Sequence, residues 1–227
     1  MMKFHYTWLE NCAEAQGTLI VIDVLRAFST AAYAFSAGAE SISLVSTVEE
    51  AMALKQQHPE WLVMGEVNGL SPAGFDFGNS PTQILEHDLS GRHLIQRTGA
   101  GTQGVVRSVC AERLLAASFV VASATLRAAR HSGMEQLTFV LSGGEKNEED
   151  LACAQYLQAL FEGGAPDPQP YIRRVKTAPD ARKHLDPLLP EFPESDLDYC
   201  TRIDAFSFAM PVAREDGRLV MRAVPVP

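Results

Sequence analysis

Apolar positions in this 227-residue chain change period repeatedly, and each change marks an element. TLIVIDV (18–24) is a continuous apolar run rich in branched residues, the pattern of a buried, parallel strand. Alanine-rich RAFSTAAYAFSAG (26–38) follows it and ends in glycine, as a helix does. SISLV (41–45) is a short strand, and Thr47 with Glu50 forms a capping box for the helix TVEEAMALKQQ. WLVMG (61–65) is the next strand. EVNGLSPAGFDFGNS (66–80) keeps no period and reads as loop, with Ser80 and Pro81 as N-cap and first residue of the helix PTQILEH. HLIQR (93–97), SFVVAS (118–123) and QLTFVLS (136–142) are read as strands. VVRSVCAERLL (105–115), TLRAARHS (125–132) and NEEDLACAQYLQALFEG (147–163) are read as helices.

This alternation predicts an α/β fold of three layers, α/β/α, on a mostly parallel or mixed sheet. After residue 163 the pattern changes. GGAPDPQP reads as a turn or linker, and the stretch to about residue 198 carries prolines and weak helical signals. FSFAMPV (206–212) and RLVMRAV (218–224), separated by AREDG, predict a C-terminal hairpin. Residues 1–227 are expected to form one domain, with 163–227 either a small appendage or an edge of the main sheet.

Composition narrows the function classes. Hydrophobic residues make up 46% of the chain, enough for a real core. A formal net charge of -9 argues against nucleic acid and anionic membrane surfaces, which both demand basic patches. An acidic enzyme can still take an anionic substrate if its site concentrates cations or N–H groups. No apolar run approaches a spanning length, and MMKFHYTWLENCAEAQG lacks the apolar core of a signal peptide. Cys12, Cys110, Cys153 and Cys200 are scattered, so they are expected as free thiols in a reducing cytoplasm, without structural zinc. A homodimer is allowed by the sequence but not dictated by it.

Asp23 closes a buried strand and Arg26 opens the helix after it, at the strand end where open α/β sheets place ligands. Either the two pair with each other or Asp23 serves a cation, and position alone leaves both open. Glu66 stands at the same kind of place after WLVMG, and Asp76 lies in GFDFGNSP. Hard oxygen ligands at strand ends suit magnesium. Gly74 and Gly78 permit tight bends, and Asn79, Ser80 and the N–H groups beyond Pro81 could receive an anion. Residues 99–104 match GxGxxG, but the next predicted strand ends without the acid that would hold a ribose. That loop is therefore read as facing an anion rather than NAD. After QLTFVLS come Gly143, Gly144 and Glu145, then Asn147 with Glu148, Glu149 and Asp150. This is first a well-capped helix, from which Glu149 or Asp150 could turn inward.

Taken together, VIDVLRAFSTAAYAFSAGA, GEVNGLSPAGFDFGNSP, TGAGTQG and EEDLACA resemble the 2-phosphosulfolactate phosphatase family in order and spacing, over roughly residues 18–160. The resemblance implies a magnesium-dependent hydrolase that releases phosphate from 2-phosphosulfolactate, a step in coenzyme M biosynthesis. By motif it implies site roles for Asp23, Arg26, Glu66, Asp76, Asn79, Ser80 and Asp150. In that reading Asp23, Glu66, Asp76 and Asp150 serve Mg2+. Arg26 clamps an anionic group, and Asn79, Ser80, Gly99, Gly101 and Thr102 contact substrate. Many members read TTNGT where this chain has TGAGT (98–102), so an asparagine amide is missing from that loop. The competing readings are a phosphatase of another small phospho-acid and a non-catalytic anion-binding module. Acids at several strand ends favour the enzymes.

Overall fold

The computed structural model describes residues 2–130, 134–143 and 147–226. Gly144 and Glu145, and the end of the helix expected over 125–132, lie outside the described residues. In chain order the strands are β1 (Lys3–Trp8), β2 (Gly17–Ile22), β3 (Ser41–Leu44), β4 (Leu62–Gly65), β5 (His93–Arg97), β6 (Ala111–Ala117), β7 (Gln136–Leu141), β8 (Phe208–Glu215), β9 (Arg218–Met221) and β10 (Val224–Pro225). The helices are α1 (Ala27–Ser36), α2 (Val48–Gln57), α3 (Pro81–Ile84), α4 (Gly101–Arg107), α5 (Ala122–Ala129), α6 (Glu148–Phe161), α7 (Gln169–Thr177) and α8 (Glu194–Cys200). No described helix is long and apolar enough to cross a membrane.

The sheet is mixed, as expected, in the order β1-β7-β2-β6-β8-β9-β3-β5-β4, with β10 on β8. β1, β7, β2 and β6 are mutually parallel, and so are β3, β5 and β4. The hairpin β8–β9 pairs antiparallel with both blocks. It lies in the middle of the sheet rather than at an edge or on an appendage. Its turn is Asp216-Gly217, both at positive φ (48° and 78°), the geometry that an Asp-Gly hairpin supplies.

Side chains alternate across the sheet. Leu19 and Val21 of β2 join one core cluster, while Ile20 and Ile22 join the other. The first cluster also takes Met64, Leu94, Ile42, Met221, Val212 and Ala116, one or more from every strand between β2 and β4, together with α1. On this face α1 packs against β6, and α4 packs against β2 and β3. Three antiparallel steps give the two parallel blocks opposite senses. A twist of roughly 20–25° per strand over the five steps from β2 to β5 accumulates to about 100–125°, which swings their carboxyl ends towards one another.

Two segments differ from expectation. Residues 105–115, read as a helix, split into the end of α4 and strand β6. AERLLAA favours a helix by composition, but pairing with β2 on one side and β8 on the other overrides that preference. SFVVAS, read as a strand, instead makes a buried 3-10 turn (Phe119–Val121) leading into α5. The β-branched residues there serve the core, not a ladder. Strand β1 was not assigned from periodicity; its Phe4, Tyr6 and Trp8 pack on the second cluster.

Because the hairpin joins the two blocks, a chain ending at residue 205 should lose cooperative folding. It would expose the edges of β6 and β3 and remove the buried Met210 and Met221. Urea unfolding followed by circular dichroism tests this. A single native-like transition in the shortened chain would show that the hairpin is peripheral.

Candidate active site

Four segments meet at a cavity of about 240 Å³ lined by Asp23, Arg26, Glu66, Asn79, Ala100 and Lys183, among others. They follow β2, β4 and β5, with Ser142 and α6 behind them after β7, and residues 180–192 close the far side. The loop after β4 contains a tight Asn68-Gly69 turn in which both residues have positive φ, and Val67 and Leu70 exchange N–H···O bonds. Gly69 must be glycine because an added Cβ would lie 2.4 Å from the ring of Phe192.

Asp23 is buried and surrounded by neutral donors. One carboxylate oxygen accepts from the Ala27 N–H (2.9 Å) and the other from the Ser142 hydroxyl (3.1 Å), with the Gly101 N–H also turned to it. A Cβ on residue 101 would sit 2.7 Å from Asp23 Oδ2, so that glycine lets the loop reach the acid. Behind it, Asp150 accepts from the Val24 N–H through Oδ1 and from the Ser142 N–H and hydroxyl through Oδ2. Burial, offset in part by these hydrogen bonds, pushes Asp23 up to about 6. Burial and then the charge of Asp23 push Asp150 well above the carboxylate range. Glu149, also buried, rises to about 7, first by desolvation and then by Asp180 and Asp23.

Arg26 does not pair with Asp23. Its Nη1 donates to Asp196 Oδ2 at 2.7 Å and to the Glu191 carbonyl at 2.8 Å, and its guanidinium lies 4.5 Å from the ring centre of Phe192. Asp196 is fully buried, and its other oxygen accepts from Ser80 Oγ, the Thr82 N–H and Thr82 Oγ1. Residues 191–196 thus hold the substrate-side face of α1 and the start of α3 together. Composition of the proline-containing stretch gave no hint of Asp196; the nearest signal was an arginine at a strand end with no certain partner.

Several expected site residues stand elsewhere. Asp76 accepts from the Val63 N–H (2.7 Å) and pairs with Lys55 (3.3 Å), pinning the GFDFGNSP loop to β4 outside the cavity. Ser80 caps α3 and is spent on Asp196. Thr102 is buried in a reciprocal bond set with Thr98 and does not line the cavity. Asp150 sits one layer behind. Asp23, Arg26, Glu66, Asn79 and Gly99 do line it, while Gly101 abuts Asp23. Glu66 accepts from the Gly69 and Gly99 N–H groups, tying two loops together. Asn79 is buried, and its Oδ1 has no hydrogen-bond partner, an acceptor left for a bound group.

Among the described residues, no three His, Cys, Asp or Glu side chains form a ready-made metal cage. Magnesium seldom needs one, since it binds through one or two carboxylates with water and substrate oxygens. Asp23 and Glu66 fit that pattern, in a region where buried acids outnumber nearby cations.

The sequence model of the 2-phosphosulpholactate phosphatase family matches residues 6–215. The chain belongs to that family, and so to the hydrolases acting on phosphoric monoesters. It is 33% identical over 202 residues to a protein of Bacillus subtilis named "Probable 2-phosphosulfolactate phosphatase", covering 88% of each chain. Proteins with the same name from Thermotoga petrophila and Thermus thermophilus are 34% and 33% identical, over 83% and 86% of this chain and 86% and 87% of theirs.

The buried acids give a pH test. Glu149 holds its proton more tightly folded than unfolded, rising from 4.5 to about 7. Its favourable contribution is therefore complete below about 4.5 and is lost as pH rises through about 7. Without divalent ions, thermal midpoints should fall between about pH 5 and about pH 8, and Glu149→Gln should flatten that fall. An equally steep fall in the variant would show that Glu149 is not held protonated.

Proposed function

We propose that this chain hydrolyses 2-phosphosulfolactate to 3-sulfolactate and phosphate with magnesium, as in coenzyme M biosynthesis, in the cytoplasm. The observation that carries the reading is the cavity at the strand ends, where Asp23 and Glu66 face Arg26 and the unpartnered Asn79. In the reaction, a water oxygen forms a bond to phosphorus, the bond from phosphorus to the ester oxygen breaks, and the leaving alkoxide gains the proton that water gives up. Phosphoryl transfer of this kind needs positioning and charge stabilisation more than covalent chemistry. Magnesium held by Asp23 and Glu66 would supply neutralisation of the phosphate oxygens. The Asn79 amide would meet substrate, and Arg26, fixed by Asp196 and Phe192, would offer positive charge at a set position.

A second reading rests on Ala100. It lines the cavity at the place where many members carry asparagine, so one amide contact is absent here. This favours another small phospho-acid as substrate, and phosphate release across a panel of such acids separates the two.

Asp23→Asn keeps the shape and the bond from the Ala27 N–H, but it removes the charge and the second acceptor that faces Ser142 and Gly101. It should reduce magnesium-dependent phosphate release by about 10²–10³ with little change in melting temperature. Asp76→Asn, outside the cavity, should keep near-wild-type turnover. Near-wild-type turnover in Asp23→Asn would remove Asp23 from the chemistry.

A further inference from the structure

One wall of the cavity is unused by this chemistry. Asp180, Lys183, His184 and Phe192 line it, and all come from the C-terminal segment. Lys183 and Arg26 are the two lysine or arginine residues among the described lining residues. Arg26 is committed, with its pair to Asp196 buried on both sides and its guanidinium over Phe192. Lys183 is not. Its partner is Asp180 at 2.5 Å, with the two side chains 51% and 50% exposed. Exposed pairs of this kind contribute little, so a better anion can displace Asp180 at small cost.

The surroundings aim that charge inward. Lys183 Nζ lies 5.7 Å from the ring centre of Phe192, the same ring that Arg26 covers. His184 stands edge-on to Phe192, its Nδ1 3.0 Å from the Pro193 carbonyl. Burial and the charges of Arg26 and Lys183 lower its proton affinity, so it adds no fixed charge of its own. The cavity also carries Asp23 and Glu66, which repel any anion not bridged to them by a cation. A substrate with acid groups at both ends has one favourable orientation, with phosphate at the carboxylate wall and its other acid group at Lys183.

We propose that Lys183 determines substrate specificity by leaving Asp180 to pair with the acid group remote from the phosphate, the sulfonate in the reading above, on which this assignment rests. A lysine fits a sulfonate as a mobile point charge, since no planar fork is needed.

The test compares wild type, Lys183→Ala and Lys183→Arg on two substrates: 2-phosphosulfolactate, and 2-phospholactate, which has hydrogen in place of the sulfonate. Calorimetric binding of 3-sulfolactate to each protein runs alongside. Lys183→Ala should lower kcat/KM for the sulfonated substrate about tenfold or more, mainly through KM, as expected for a lost hydrogen bond to a charged group. It should change the unsulfonated one less than about twofold, and Lys183→Arg should restore most of the loss. Affinity for 3-sulfolactate should fall by a similar factor. Equal losses on both substrates, or an unchanged preference, would overturn the assignment. If wild type releases phosphate from neither substrate, the reading of the reaction fails by itself and the calorimetry decides. A 3-sulfolactate affinity that depends on Lys183 then upholds the role of this wall, and one that does not overturns it.

Discussion

The burial of Asp23 constrains more of this molecule than any other single feature. A carboxylate taken out of water is costly unless donors or a cation replace its hydration. Here the donors are neutral: the Ala27 N–H, the Ser142 hydroxyl and the Gly101 N–H. Each demands something of the fold. Ala27 must begin α1 directly after β2, Gly101 must lack a Cβ, and Ser142 must end β7 beside β2. The same serine hydroxyl faces Asp150, so two acids share its proton. Neutral donors satisfy geometry without cancelling charge, and burial shifts Asp23, Glu149 and Asp150 upward.

A second tie explains why the C-terminal segment belongs to the site. Arg26 is as buried as Asp23, and its charge is answered by Asp196. Removing one partner of a buried pair is costly, typically by about 3–5 kcal/mol. Asp196 also accepts from Ser80 and Thr82, so one carboxylate joins α1, α3 and α8. Phe192 seats on Gly69 and under Arg26. The floor of the cavity and its far wall therefore depend on each other.

Much of this was legible in the sequence where the signal is local. The capping box of Thr47 and Glu50, the Ser80–Pro81 helix start and the Asp-Gly hairpin all depend on neighbours a few residues apart. So does the apolar run of β2. What was not legible depends on distant partners. Ala111–Ala117 is a strand only because β2 and β8 flank it, and Phe119–Val121 is apolar because it is buried, not because it pairs. The position of the hairpin at the centre of the sheet, and the Arg26–Asp196 pair across 170 residues, have no short-range signature. Asp23, Glu66 and Asn79, which line the cavity, each follow the end of a strand or a loop motif. Lys183 and His184 lie in a stretch whose prolines and charges look like any surface.

Asp76 shows how a motif can mislead in a physically instructive way. GFDFGNSP looks like chemistry because it combines an acid, glycines and aromatics. Yet its aspartate accepts the Val63 N–H and pairs with Lys55, while Asn79 is the residue of the segment that lines the cavity. An irregular loop must satisfy its own main-chain groups before it can present anything to a ligand. Most of a conspicuous motif can therefore be scaffold for one working side chain. The same logic divides the cavity itself. The carboxylate wall is fixed by main-chain donors and can vary little without unfolding the strand ends. Lys183, by contrast, is half-exposed and pairs with a half-exposed Asp180, so this side chain can change without disturbing Asp23. Under the proposed function, reaction type and substrate preference would rest on different physical supports.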